Sequence, residues 1–452
     1  MGRSKKKTIK PKRDILERAA DVYLALLIPL LILYPGWEGY ETIDQAKYRC
    51  FLIINGGYVV ISLLLWMETL LIGQRKFQPP KAIWKQSGWV QRLIVLYLLL
   101  TLASSLLSDF SETWIGMSRK EGFLTIAICG LTFLLLSVYG RAKAWMVYLL
   151  GAVMSLCCIV SMLQLCGFNP LGLYPDGLTY QDAGVLYTGE YLGTVGNADI
   201  LSALLCLTIP MFAATIWKGR SRRRFVLLLP LVLCLTVLLW SKVAAGYAAL
   251  IAGTLICVPV LLENKRHRII AGVGSVAVTP LGLLAIYWID PGSGTLQELH
   301  LLLHGQIDLS FGSGRLLIWS QVLEILPEHL LFGIGPDTLL GAGLDGFRRY
   351  DPVQDLLVVA PVDLAHNEYL NILVSQGVFA LAAYLAALVL SAIGWIRHAD
   401  QTVIAICGCG ILWYCIQVFF GFSLYFTAPL FWATWALMHR ELLDCNRKRE
   451  QT

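Results

Sequence analysis

Apolar residues along this chain fall in blocks rather than in alternation. The blocks are about 16 to 25 residues long, the length a helix needs to cross a hydrocarbon core roughly 30 Å thick. They predict twelve spans, at approximately 18–36, 49–72, 90–108, 123–139, 144–166, 197–217, 225–240, 243–262, 269–288, 366–393, 402–420 and 422–439. The stretch from 225 to 262 would be about 57 Å long as one helix, too long for one span, so it is divided at Ser241–Lys242. Two longer polar loops remain, at about 167–196 and 289–365. An outer-membrane barrel would need short alternating strands, and none are visible. The expected fold is an all-α polytopic membrane bundle. Its parts are a basic cytoplasmic tail at 1–17, the bundle at 18–440 with the 289–365 extracytoplasmic loop inside it, and a cytoplasmic tail at 441–452.

Composition narrows the class further. The chain is 57% hydrophobic and 15% charged, against about 25% charged in soluble domains. The positive charge is distributed by topology, so it does not point to nucleic acid. With the N-terminus inside, all but eight of the 36 Lys and Arg residues face the cytoplasm, as the positive-inside rule requires. The eight are Lys47, Arg49, Arg119, Lys120, Lys242, Arg315, Arg348 and Arg349. Both termini are therefore expected in the cytoplasm. No small-residue cleavage site follows the basic start, so the first span is expected to be retained. The 12 cysteines sit mostly inside apolar blocks, where Cys acts as a small hydrophobe, and form neither a zinc pattern nor a disulfide framework.

Chemistry is sought at the outer face. Span ten, begun at Leu364, would be about 45 Å long as helix, so its first turns should protrude and hold His366 at the interface. A helix N-terminus favours the neutral imidazole, which is what a general base requires. A histidine satisfied by Glu368 or Asp363 would show the same spacing. Among the outward cations, Lys242 sits in a tight turn flanked by apolar helix, where it either finds an anionic partner or snorkels to headgroups. Residues 314–328 carry apolar positions at helical spacing, with Ser313 as N-cap and Pro327 with the Gly333–Asp337 turn as the stop. Arg315 opens that amphipathic helix, where helix N–H groups beside a guanidinium suit phosphate oxygens, whether of a substrate or of lipid. Arg348 and Arg349 read as a solvated pair. Arg119 and Lys120 either add to the same positive field or pair with Glu121. His300 and His304 have zinc-ligand spacing but no third ligand, and no Asp-x-Asp pair occurs to hold a cation on a nucleotide sugar.

The order of these features is informative. Gly193-Thr194-Val195-Gly196-Asn197-Ala198-Asp199 opens span six, and Ser241-Lys242 with Ala244, Ala245 and Gly246 opens span eight. Ser313-Gly314-Arg315 with Trp319 follows, then Leu331-Phe332-Gly333-Ile334-Gly335-Pro336, then His366-Asn367-Glu368-Tyr369-Leu370 with Gly377. Over roughly 115–395 the chain resembles the O-antigen ligase and O-antigen polymerase superfamily of bacterial membrane enzymes. The resemblance implies a GT-C-like bundle and a metal-independent, inverting glycosyltransferase that needs no cofactor. The donor implied is an undecaprenyl-diphosphate-linked glycan, and the acceptor is a hydroxyl on a glycan, lipid or protein. It further implies that His366 is the base and that Arg315 and Lys242 bind the diphosphate, with Arg119, Asn197, Asp199 and Asn367 as further substrate-binding candidates. Where Ser-Arg is common in the family, this chain has Ser241-Lys242, which keeps the charge and loses the bidentate fork. Ligase and polymerase share their reacting groups, so the sequence leaves both open. A lipid or polysaccharide transporter, which would use the same basic cavity for binding alone, is the alternative from another class. The expected location is the bacterial cytoplasmic (inner) membrane, among membrane lipids, with the active site extracytoplasmic.

Overall fold

A backbone surrounded by lipid has no water to bond, so each apolar block must close its own hydrogen bonds as helix. The computed structural model, which describes residues 15–72, 87–179, 192–351 and 356–450, follows that rule. The basic start through residue 14, most of the 73–89 loop and part of the 167–196 loop lie outside the described residues. The first helices are α1 (Ile15–Leu33), α2 (Ile43–Phe51), α3 (Gly57–Ile72), α4 (Trp89–Leu107), α5 (Phe123–Tyr139) and α6 (Ala144–Leu165). A π-helical segment, Leu52–Gly56, joins α2 to α3. Then come α7 (Ala198–Lys218), α8 (Leu228–Trp240), α9 (Ala244–Leu261), α10 (Lys265–Trp288) and α11 (Gly294–Leu303). The chain ends with α12 (Arg315–His329), β1 (Phe347–Asp351), β2 (Leu356–Ala360), α13 (Glu368–Gln376), α14 (Val378–Arg397), α15 (Thr402–Gln417) and α16 (Ala428–Glu450).

Among the described residues, eight helical stretches are long and apolar enough to cross a membrane, and α5 and α15 are shorter apolar helices. The chain is an all-α polytopic membrane protein. Helices α1 and α16 stand where the first and last spans are expected and carry charged residues. The number of crossings rests on the sequence pattern.

Helix α7 lies at the centre, packed on α8, α9 and α15, while α4 packs on α14 and α5 on α16. Lipid tails are as apolar as leucine, so helices associate here through close packing and hydrogen bonds. Thr101 Oγ1 donates to Gln376 Oε1 at 2.9 Å and Ser104 Oγ to the Ser375 carbonyl at 2.9 Å. These two bonds tie α4 to the end of α13. Lys47, expected among the outward cations, is fully buried instead. Its Nζ donates to the carbonyls of Leu31 and Ile32 at 2.6 and 3.0 Å, closing the C-terminal end of α1.

Four sequence expectations change. Span ten is not one helix over 366–393, because the chain breaks at Gly377 into α13 and α14. Gly377 has φ +87, and a Cβ there would sit 2.1 Å from the Leu331 carbonyl oxygen. Helix α12 is preceded by Gly314 in the left-handed region rather than capped by Ser313, and it runs through Pro327 to His329. A proline three residues from a helix end removes an N–H bond there without ending the last turn. The long loop, read as having room for helices of its own, also contains an antiparallel strand pair, β1 with β2. Finally, the last span starts at Ala428 and not at 422, because two backbone N–H groups of the 418–427 segment go to carboxylates instead of to a helix. Ser423 N donates to Glu368 Oε2 at 2.9 Å, and Tyr425 N donates to Glu121 Oε1.

Candidate active site

The site begins with two segments bonded backbone to backbone. Ile334 N and Gly335 N donate to the carbonyls of Val374 and Ser375 at 2.9 Å each, and Val378 N donates to Leu330 O at 2.8 Å. The approach is so close that a Cβ on Gly333 would lie 2.2 Å from the Ser375 carbonyl carbon. Only glycine fits at 333 and 377, and this is what the Leu331–Pro336 motif and the distant Gly377 accomplish together. They lock the 330–338 turn onto α13.

His366 stands just before that helix. Asn367 is the N-cap, its Oδ1 accepting from Tyr369 N and Leu370 N at 3.0 Å each. On the other side, Trp319 Nε1 of α12 donates to Ala365 O at 2.8 Å, and Ala365 N donates to Asn371 Oδ1 at 3.3 Å. Pinned on both flanks, His366 takes φ +47, a left-handed conformation costing roughly 1–3 kcal/mol for a non-glycine residue. The ring meets Phe422 edge-on at 5.2 Å between centroids. Nδ1 is buried and has no hydrogen-bond partner among the described residues. Neither neighbouring carboxylate satisfies it: Glu368 faces Ser423, and Asp363 faces Arg119.

Four charged groups from different parts of the chain act on the ring. Arg315 Nη2 lies 3.6 Å from Asp199 Oδ2, and Arg119 Nε donates to Asp363 Oδ2 at 2.6 Å. Burial, with the Arg315 guanidinium beside it, pushes the imidazole down to about 4, against the opposing pull of Asp363 and Asp199. The ring is therefore neutral near pH 7. Desolvation and a cation account for that state, where the sequence reading had invoked the helix dipole.

The structure brings His366, Arg315, Arg119 and Asp199 together. It does not bring Lys242 among the groups that act on His366. Lys242 is exposed, with φ +57, in the turn between α8 and α9. That turn nonetheless stands at the same end of the bundle. A Cβ on Gly246, one turn into α9, would meet Ser202 Oγ at 2.5 Å, and Ser202 is one turn into α7 from Asp199. Asn197 caps α7, accepting from Ile200 N at 3.1 Å. The oxygens of Asn197 and Asn367 are thus committed to caps. Arg348 is exposed on β1. His300 and His304 lie 4.3 Å apart with their rings tilted by 40°, their Nδ1 atoms against the carbonyls of Ile286 and His300.

Asp337 is the residue the sequence reading passed over as part of a turn. It has φ +54, and its carboxylate accepts from Ser118 Oγ at 3.0 Å, Arg119 N at 2.8 Å and Glu121 N at 3.1 Å. It therefore holds the loop that carries Arg119. A cavity of about 50 Å³ lies behind the site, lined in part by Asp337, Glu121, Glu368 and Ser375. Burial raises the Glu368 carboxyl to about 7 and the Glu121 carboxyl well above its usual range.

Residues 229–385 match the family described as O-Antigen ligase. The matched stretch runs from α8 into α14 and includes Lys242, Arg315 and His366. No curated protein matches the chain.

Proposed function

Through residues 229–385 the chain belongs to the O-antigen ligase and polymerase superfamily, and on that footing we propose that it is a membrane glycosyltransferase acting at the outer face of the cytoplasmic membrane. The donor is an undecaprenyl-diphosphate-linked glycan and the acceptor is a hydroxyl. His366 takes the hydroxyl proton while the oxygen forms a bond to the anomeric carbon on the face opposite the leaving group. The bond from that carbon to the diphosphate breaks, and its electron pair leaves on the diphosphate oxygen. Attack from the opposite face inverts the configuration.

The observation that carries this reading is the neutral imidazole pinned beside Arg315. A general base needs its lone pair at working pH, and burial with a neighbouring cation keeps it. The same cation is where a departing diphosphate gains most, because a fixed, oriented charge stabilises a developing anion. Arg119 adds to that field from behind Asp363. Lys242 supplies a more distant charge at the entrance for the diphosphate. The bound cations do the work a divalent ion does in other glycosyltransferases, so transfer is expected to proceed in a chelator.

The test is transfer from an undecaprenyl-diphosphate-linked glycan by the purified chain in lipid nanodiscs. His366→Ala and Arg315→Ala should abolish transfer while both variants still insert into the membrane. Full activity in either variant would falsify the assignment. A single addition to each acceptor identifies a ligase, and a ladder of products identifies a repeat-unit polymerase. Glycolipid movement that depends on a gradient and survives loss of His366 would identify a transporter instead.

A further inference from the structure

Two ion pairs flank the His366 imidazole, and they are built differently. Arg119 and Asp363 form a true hydrogen bond of 2.6 Å, and Asp337 fixes the Arg119 backbone as well. Arg315 and Asp199 stand 3.6 Å apart, beyond hydrogen-bonding distance. Arg315 Nη1 donates to the Gly312 carbonyl at 2.8 Å, while its Nε is buried with no partner among the described residues. The guanidinium thus holds a loose counterion and has donors still open. Asp199 lies in the first turn of α7, two residues after the Asn197 cap, where the helix N-terminus stabilises a carboxylate even without a cation. The imidazole supplies a third unfinished contact, the buried Nδ1 with no partner.

Resting on the reading of Arg315 as the diphosphate site and His366 as the base, we propose that Asp199 is a displaceable counterion. It occupies Arg315 in the free enzyme and is released to the imidazole when a diphosphate takes the guanidinium. A diphosphate can meet the fork of Arg315 with two oxygens, which the single long contact to Asp199 does not. The charged groups acting on His366 are Arg315 from α12, Arg119 from the loop before α5, Asp363 from its own loop and Asp199 from α7. While Asp199 is paired with Arg315, the effects of these two on the ring oppose each other. Once the diphosphate neutralises Arg315, the Asp199 charge is left facing the ring and stabilises the imidazolium. This happens only when a donor is bound and a proton is about to arrive from the acceptor hydroxyl. After the diphosphate departs, the imidazolium proton passes to water and Arg315 returns to Asp199. Asp199 is on this account a positioning residue that couples donor binding to the strength of the base.

The experiment uses the full chain in nanodiscs, with inorganic pyrophosphate as probe in titration calorimetry and donor turnover measured beside it. Asp199→Asn removes the competing charge and keeps the shape. It should bind pyrophosphate about fivefold more tightly, the scale of a loosely held ion pair. Its turnover should fall about tenfold while KM also falls, since the imidazolium has lost its carboxylate. Asp199→Glu, which restores the charge, should return the affinity toward the natural value. Unchanged or weaker pyrophosphate binding in Asp199→Asn would overturn the proposal, as would unchanged turnover or an absence of binding in both proteins. Pyrophosphate binding that survives Arg315→Ala would instead bring down the underlying assignment of Arg315. A residue that merely supports the fold would lose affinity and turnover together.

Discussion

Helices α7 and α10 have nearly the same mean hydropathy, 2.0 and 2.1, yet 83% of the apolar window of α7 is buried inside the protein and none of α10. Hydropathy reports transfer into lipid and says nothing about whether the neighbour is lipid or protein. The difference lies in the small polar residues and in the chain ends. Helix α7 carries Ser202 and Thr208, both fully buried among α8, α9 and α15, and it delivers Asp199 to the site. Helix α10 packs chiefly on α9 and α11 among the described residues, and its glycines 272, 274 and 282 face open space there. One limb is organised around chemistry and the other around lipid. Lys242 stands just before the N-terminal end of α9, the helix that packs against both.

The largest effects should separate the two cations. His366→Ala and Arg315→Ala remove the base and a half-buried fixed charge beside it, and each should lower kcat by about 10³-fold. Lys242→Ala removes an exposed charge screened by solvent and salt, and the loss expected is at most about tenfold. Turnover in nanodiscs at saturating donor measures both. Equal losses at Arg315 and Lys242 would show that donor binding draws Lys242 into the site and would erase the distinction between them.

Next in size are the glycines at the break between α13 and α14. Gly377→Ala forces a Cβ to 2.1 Å from the Leu331 carbonyl oxygen at φ +87. A backbone conformation open almost only to glycine, with overpacking added, should cost about 3 kcal/mol or more. Thermal unfolding in detergent should show the drop. If Gly377→Ala leaves the melting temperature unchanged, the 330–338 turn is not locked onto α13.

The pH dependence tests why the ring is neutral. His366 has its folded-state value near 4, below the ordinary value of about 6.5. Between those values the unfolded chain binds the extra proton, so stability is highest above the upper one and falls as pH drops through the lower. In kcat/KM, which reports the free enzyme, the acidic limb should therefore lie near pH 4. In kcat, which reports the donor complex, it should lie higher, because a bound diphosphate offsets Arg315. An acidic limb of kcat/KM near 6.5 would mean that burial does not control the ring.

How much of this was legible depends on distance along the chain. Because a lipid span is a local property of sequence, the apolar blocks gave most helices to within a few residues, though not span ten or the start of the last span. The break at Gly377 was not legible, since it is imposed by Leu331, 46 positions away. The placement of His366 before a helix could be read from its neighbours. The cause of its neutrality could not, because Arg315, Arg119 and Asp199 reach it from segments far apart in sequence. Asp337 carried a local signal, a Gly-Pro-Asp turn, but its three donors come from residues 118–121. The hairpin at 347–360 lacks the alternation that marks a strand, and it forms only because its two halves pair with each other.

The smallest expected effect probes the lipid-facing limb. Gly272 lies inside α10 with nothing within 4 Å of where a Cβ would be. Gly272→Ala therefore adds a methyl group toward lipid and removes backbone freedom from the unfolded chain. A compatible Gly→Ala change of this kind stabilises by about 0.4–1 kcal/mol. Transfer activity should not change, because α10 contributes no group that acts on His366. Melting and turnover of the variant beside the natural protein measure both effects. A loss of stability above about 1 kcal/mol is the size expected of overpacking and would mean that the Gly272 face is covered by protein in the membrane. The exposure of α10 would then be that of an unassembled chain, and the contrast with α7 would narrow accordingly.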